Sequence, residues 1–473
     1  MDPYLLAPEL SLTGLALALI LLDLVVKRKG VLAAFAVLGL GAPLVFSILL
    51  WGERGTSFAN ILIVDEFSLF FKFLLLGVAG AVILSSVDYV AKFRAFQGEF
   101  YALILLSTAG MMLVAATQEL ITIFVALELV SVCLYVLAGF LRDPQSSEAS
   151  LKYLLLGAVA AAVMVYGMAL VFGLTGTTYL DQIAVSLRGT DLARSPALIV
   201  GIIFIAVGFG FKIAAVPFQA WVPDVYQGAP TPVTAYLSVA SKAAGFAVIL
   251  RVFYLAFGDF TTDWSLVFAV LSAVSMALGN LVAIQQTDIK RFLGYSSIAQ
   301  AGFIMIGLAT IGEEGPSRVL FYLGAYAFTN LAAFIAIIAI SHKINSDRID
   351  DYAGMARRAP ILAICLALAM ISLTGIPPTA GFWAKVLLFQ SAVGAGLGWL
   401  VILGVINSVV SAYYYLRVVK VMFLQAPPTA ERIGASPPVW ASVAVSTLGI
   451  VTFGVVPGLL LRLAESAARS FRG

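Results

Sequence analysis

Charge is what this chain has least of. Only 11% of its 473 residues are Asp, Glu, Lys or Arg, against about 25% in an average soluble domain, so an ordinary water-soluble enzyme is excluded. Its two cysteines, Cys133 and Cys365, both lie inside apolar runs. They offer neither a disulfide framework nor a spaced thiolate cluster for zinc or iron–sulfur. The single histidine, His342, leaves no imidazole pair to hold a haem between helices. The chain is therefore expected to carry no redox centre and to bind no cofactor or metal of its own, and no nucleic-acid partner is expected.

What it has is apolar length. Residues of apolar type make up 62% of the chain and its mean hydropathy is +1.04. At about 20 apolar residues per membrane helix, that fills roughly fourteen spans with short loops between them. Runs between charged or Pro/Gly punctuation place these at 4–26, 31–52, 67–90, 99–117, 119–141, 149–174, 195–222, 230–256, 263–284, 293–311, 317–342, 360–392, 397–424 and 437–462. No Lys or Arg precedes the first run, so it reads as a retained helix rather than a signal peptide. An even number of crossings puts both termini on one side. One set of loops carries fifteen basic residues, among them Lys27, Arg28, Lys92, Arg94, Lys290 and Arg358. The other carries eight, among them Arg194, Arg251 and Arg472. The richer set belongs in the cytoplasm, which leaves both termini outside.

Five lysines remain within spans: Lys72, Lys152, Lys212, Lys242 and Lys385. A charge at the bilayer centre costs about 2.5–3.5 kcal/mol on insertion scales, so one that persists lines a wet cavity or is paired. Lys72, close behind Asp65 and Glu66, is expected to snorkel to the outer surface. Lys152 lies near the cytoplasmic start of the sixth span, where position alone does not separate snorkelling from function. Lys212, Lys242 and Lys385 are deep, and Glu128 is the one clearly deep carboxylate. Several lysines around one glutamate suit a proton relay better than covalent catalysis.

Two spans are interrupted. Pro217 and Pro223 follow Lys212 in the seventh, and Gly375, Pro377 and Pro378 precede Lys385 in the twelfth. Irregular backbone at membrane depth is tolerated only where it is buried in protein or lines a cavity. The breaks are five spans apart and so cross in opposite directions, which points to inverted repeats made of spans four to eight and nine to thirteen. The expected fold is an all-α polytopic membrane protein with units 1–98, 99–256, 257–424 and 425–473.

The stretch Phe211-Lys212-Ile213-Ala214-Ala215-Val216-Pro217-Phe218 and the later Asp224-Val225-Tyr226-Gln227-Gly228-Ala229-Pro230 closely resemble the subunit N family of respiratory complex I. Further matches are Ser150-Leu151-Lys152-Tyr153, Ser241-Lys242, Lys290-Arg291-Phe292-Leu293-Gly294-Tyr295 and Gly381-Phe382-Trp383-Ala384-Lys385. The resemblance covers essentially the whole chain. It implies an antiporter-like subunit of the membrane arm, moving protons while other subunits, with flavin and iron–sulfur clusters, pass electrons from NADH to quinone. It implies that Glu128 pairs with Lys212 on the inner half-channel, Lys152 loads or tunes Lys212, Lys242 is the central relay and Lys385 the outlet. The partners implied are other membrane-arm subunits and the lipid bilayer, in a bacterial plasma membrane. Two departures stand out: Gln219 and Gln300 occupy positions where the family commonly has histidine. A glutamine cannot take up a proton near neutral pH, so ordered water is expected to bridge both places. The alternative is a cation/proton antiporter subunit, against which stands the shortage of deep oxygen ligands for a dehydrated cation.

Overall fold

The computed structural model describes residues 3–27, 29–91, 96–188, 192, 195–258, 261–310, 312, 314–429 and 431–471. Arg28, Lys92, Arg94, Arg194 and Arg472 of the loop comparison lie outside the described residues. The chain is a bundle of helices. Helices α1 (Ala7–Val25), α2 (Gly30–Gly39) and α3 (Gly41–Leu49) are followed by a small hairpin, β1 (Gly55–Ser57) antiparallel to β2 (Leu62–Val64). Next come α4 (Glu66–Val90), α5 (Gln97–Ala116), α6 (Leu120–Ala138), α7 (Pro144–Thr175) and the short α8 (Leu180–Leu187). The seventh crossing is α9 (Pro196–Ile213), broken and resumed as α10 (Trp221–Gly228). The eighth is α11 (Thr231–Tyr236) and α12 (Lys242–Arg251), joined by a π-turn at Leu237–Ser241. Then follow α13 (Thr261–Ala283), α14 (Ile289–Ala309), α15 (Glu314–Ile344), the single turn α16 (Met355–Arg358), α17 (Pro360–Thr374), α18 (Ala380–Gly394), α19 (Gly398–Leu424), α20 (Pro437–Val455) and α21 (Gly458–Ala468).

Thirteen of these described helical segments are long and apolar enough to cross a membrane. Helix α17, apolar but fifteen residues long, is too short alone and resumes after its break as α18. Together they cover the twelfth of the fourteen expected spans, 360–392.

Carboxylates at the helix starts explain several boundaries. Asp65 caps α4 in a reciprocal box with Ser68, Glu119 accepts from the Ile121 and Thr122 amides, and Asp288 accepts from those of Lys290 and Arg291. Each satisfies amide donors that the helix itself cannot. The starts of α6 and α14 are tied in the same manner to the segment beyond the following long helix. Glu119 forms an antiparallel bridge with Tyr179, and Asp288 forms one with Arg348.

Between apolar helices in lipid there is no hydrophobic drive to associate, so close backbone packing carries the contact. A Cβ at Gly279 of α13 would come within 2.6 Å of the Ala299 amide nitrogen on α14. The eighth crossing, α14 and α15 are buried almost throughout and form the centre of the bundle. Helices α1, α2, α7, α19 and α20 present apolar faces outward.

The structure corrects four placements. Lys72 does not snorkel: it is fully buried, with Nζ 2.9 Å from Glu9 Oε1 in a contact whose angles fall short of a hydrogen bond. Glu9 is also buried, as are Asp23, Asp65 and Glu119, so Glu128 is not the one carboxylate inside the fold. Arg251, counted with the outer loops, is buried at the end of α12. It grips Asp65 with two bonds of 2.7 Å, donates to the Ala115 carbonyl and lies 4.5 Å above the Phe67 ring. Lys290 and Arg358, counted with the cytoplasmic loops, are buried too.

Candidate functional site

The deep lysines are set by the two breaks and by the π-turn. Helix α9 ends one residue after Lys212, because Ala214 takes a left-handed conformation (φ +62°) that an L side chain adopts at some cost. Lys212 Nζ reaches across to α6 and donates to Ser131 Oγ at 2.5 Å. Ser131 lies one turn beyond Glu128 on α6, so Glu128 and Lys212 share this corner of the bundle. The expected Glu128–Lys212 ion pair is not closed: no carboxylate of the described residues stands within 4 Å of Lys212, and Glu128 Oε1 is buried without a hydrogen bond.

Lys242 opens α12 straight after the π-turn, a helix irregularity frequent at functional sites. Its Nζ donates to the main-chain carbonyl of Ser297 on α14 at 2.5 Å. The Ser297 hydroxyl in turn meets Tyr326 Oη at 3.0 Å and Tyr226 Oη at 3.3 Å.

The second break repeats the first in outline. Gly375 caps α17 at φ +91°, a conformation glycine tolerates, and a proline stands three residues later, as Pro217 does after Ala214. Helix α17 thereby leaves the Thr374 carbonyl free of an intrahelical partner, and Lys385 of α18 folds back to it at 2.8 Å. Lys385 Nζ also reaches Ser408 Oγ at 3.2 Å and lies 4.2 Å from the centre of the Phe303 ring, a cation–π contact.

These three lysines have one property in common. Lys212, Lys242 and Lys385 are 7%, 1% and 4% exposed. Each ammonium is held by neutral oxygens, with no carboxylate of the described residues within 4 Å. Lys72, by contrast, is charge-matched by Glu9.

Lys152 stands apart. Its side chain is 43% exposed and bridges Glu148 Oε1 (2.8 Å) and Asp224 Oδ2 (2.7 Å), with no contact to Lys212. Asp224 also accepts from Arg291 at 2.6 Å. Partial burial pushes the Asp224 carboxyl up, but hydrogen bonds from Lys152 and Arg291 outweigh it and hold it below the usual carboxylate range. Lys152 is thus one corner of an ion triad joining the start of α7, α10 and the start of α14.

The two glutamines differ. The Gln300 side chain is fully engaged by protein: Nε2 donates to the Leu373 carbonyl (3.1 Å) and Tyr415 Oη (3.2 Å), and Oε1 accepts from Tyr322. Tyr415 continues to Ser296 Oγ at 2.5 Å. Direct side-chain contacts therefore occupy the place where bridging water was expected. At Gln219, Oε1 is buried without a partner. Sequence reasoning missed Ser131 and the Tyr322–Gln300–Tyr415 cluster. The available signal was a hydroxyl one turn from Glu128, and tyrosines on helices that are otherwise apolar and buried.

Residues 117–411 match the model of the NADH:quinone oxidoreductase/Mrp antiporter transmembrane family. An NADH-quinone oxidoreductase subunit N from Dehalococcoides mccartyi is 47% identical over 97% of this chain and 98% of its own, and one from Trichlorobacter lovleyi is 42% identical over 98% and 96%. Among solved structures, a chain of respiratory complex I from Thermus thermophilus with bound aureothin is 36% identical, with a TM-score of 0.82 over 97% of this chain and 99% of that one. A chain of the Mrp complex from a Dietzia species shares the fold, with a TM-score of 0.88 at 22% identity over 100% of this chain and 98% of that one. On its sequence, its interrupted helices and these likenesses, this chain belongs to the NADH:quinone oxidoreductase/Mrp antiporter membrane family, among relatives named NADH-quinone oxidoreductase subunit N.

Proposed function

We propose that this chain is the proton-translocating membrane-arm subunit of an NADH-quinone oxidoreductase, working beside other membrane subunits while NADH, flavin, iron–sulfur clusters and quinone are handled elsewhere in the complex. The relatives' name supports the assembly, and one structural observation supports the mechanism: three buried lysines whose only hydrogen-bond partners among the described residues are neutral oxygens. A carboxylate partner would lock each ammonium in its charged form. A hydroxyl or carbonyl oxygen accepts its hydrogen bond yet leaves the proton free to depart when a neighbouring charge changes. Glu128 and Ser131 serve as the entry beside Lys212, Lys242 is the central station and Lys385 the outlet.

Lys152 tunes the entrance from a distance by holding Asp224 at the cytoplasmic rim. Two five-helix units of opposite orientation, 99–256 and 257–424, carry the half-channels. The like-tied starts of α6 and α14 and the like-built breaks after α9 and α17 support this division, with 1–98 and 425–473 flanking it.

In the assembled complex, Lys242→Ala is expected to lower the proton-to-electron ratio while the complex still assembles. Lys72→Met with Glu9→Leu, which removes a buried amine elsewhere together with its counter-charge, is the control. An unchanged ratio in Lys242→Ala overturns the relay. Sodium-dependent exchange by the reconstituted chain would favour the cation/proton antiporter instead.

A further inference from the structure

Away from the lysine path, a cleft of about 560 Å³ opens where α4 and α15 end and α20 begins, the ends read as cytoplasmic. Its wall includes Asp88, His342, Lys343, Arg358, Arg432 and Ser436. Arg358 is 7% exposed, its Nε donates to the Glu431 carbonyl at 3.2 Å, and no carboxylate of the described residues lies within 4 Å of it. A guanidinium so placed has lost most of its water without gaining a counter-charge, which is costly unless an anion completes it. Beside it α20 starts without a side-chain cap, and the Ser436 hydroxyl at that start is buried without a partner. The helix start itself is taken, since its first two residues are prolines without an N–H and the Ser436 amide donates to Asp88, so the donors left for an anion are the Arg358 guanidinium, the Ser436 hydroxyl and the exposed Lys343. The cleft's two acids do not cancel this. Asp88 is engaged by the Ser436 amide at 3.2 Å, and Glu431 is an exposed side chain.

The space below is of opposite character. The seam between the same three helices narrows past Ser85, Ile338, Ala339 and Val439. Farther along the same three helices lies an apolar cavity of about 570 Å³ whose wall runs from Ala81, Leu331 and Val445 to Phe70, Gly324 and Phe453. Its near rim at Leu331 lies about 18 Å from Lys343 along α15 at 1.5 Å per residue, so an acyl chain spanning one leaflet's roughly 15 Å of hydrocarbon would run along the seam as far as that rim. Cations at the membrane surface, with an apolar seam between the same helices beneath them, match a lipid rather than a protein carboxylate, which would need only the upper part. We propose that this cleft binds the phosphate of an anionic phospholipid of the cytoplasmic leaflet, its acyl chain lying along the α4–α15–α20 seam.

The test uses the assembled complex in phosphatidylcholine vesicles doped with photoactivatable phosphatidylglycerol or phosphatidylcholine carrying the same acyl-chain label, and maps cross-links on this chain. The phosphatidylglycerol probe is expected to mark α4, α15 and α20 in preference to phosphatidylcholine. Arg358→Gln should lower that labelling by about fivefold, the effect of one cation near an anionic headgroup. Lys343→Gln, at an exposed position, makes the same comparison if Arg358→Gln fails to assemble. Equal labelling by both probes, or labelling indifferent to these substitutions, overturns the proposal. Loss of labelling on adding inorganic phosphate would assign the cleft to a free anion. Absence of labelling in the intact complex would assign it to a neighbouring subunit. No outcome depends on turnover, so the result stands apart from the proton-path reading.

Discussion

Lys72 and Lys242 are both sealed from solvent, but their partners set them different tasks. Lys72 faces Glu9, so removing either side leaves an uncompensated buried charge. Lys72→Met is expected to destabilise the assembled complex by about 3–5 kcal/mol, whereas Lys72→Met with Glu9→Leu recovers most of that loss. Thermal melting of the two variants checks this, and the double variant should keep the native proton-to-electron ratio if the pair is structural. Lys242 has only the Ser297 carbonyl as hydrogen-bond acceptor among the described residues, so on the proposed relay its loss reads out in pumping. At the rim, Asp224 ionises below the usual carboxylate range, so its contribution to stability is full above about pH 4 and is lost only as the pH falls through its lowered value. The Lys152–Asp224–Arg291 triad therefore stays closed between about pH 6 and 8. Asp224→Asn should change the amplitude of the pH–rate profile in that interval and leave its shape alone. A new inflection there would show that the triad titrates during turnover.

The interrupted helices are where chain geometry sets lysine position. At Gly375 the backbone sits at φ +91°, and a Cβ would come within 2.9 Å of Lys385 Cδ. Gly375→Ala is expected to cost about 1–2 kcal/mol from the conformation alone and to move Lys385 off the Thr374 carbonyl, lowering both the melting temperature and the pumping ratio. A variant that melts lower yet pumps normally would separate the break from the lysine. These breaks were legible in the sequence because proline and glycine act locally, and so were the depths of Lys212, Lys242 and Lys385. The Lys72–Glu9 and Arg251–Asp65 pairs were not, since their partners lie 63 and 186 residues away and nothing in the flanking residues signals them. The Tyr322–Gln300–Tyr415 cluster was hidden for another reason. Tyrosine counts as apolar in a hydropathy reading, and its hydroxyl matters only once three helices meet.

At the scale of the whole molecule, the proposed orientation rests on the basic bias of the loops. Both native cysteines are buried, so a cysteine introduced at an exposed loop position is the one a polar maleimide reaches. Glu53→Cys is expected to react from the outer side of sealed cells and Gln425→Cys only after the membrane is opened. The reverse pattern would invert the assignment of the half-channels. The carbonyl groups that hold Lys242 and Lys385 carry one further consequence, for how this path is inherited. Two of the three lysine stations take their closest acceptor from the main chain, and no codon change can delete a main-chain oxygen. An alanine scan of α14 and α17 would leave both acceptors untouched and report those helices as bystanders. On the proposed path, drift retunes these hydrogen bonds most directly where a side chain accepts them, at Ser131 beside Lys212 and Ser408 beside Lys385. Those two serines are the positions at which related chains would diverge in pumping while keeping the same lysines.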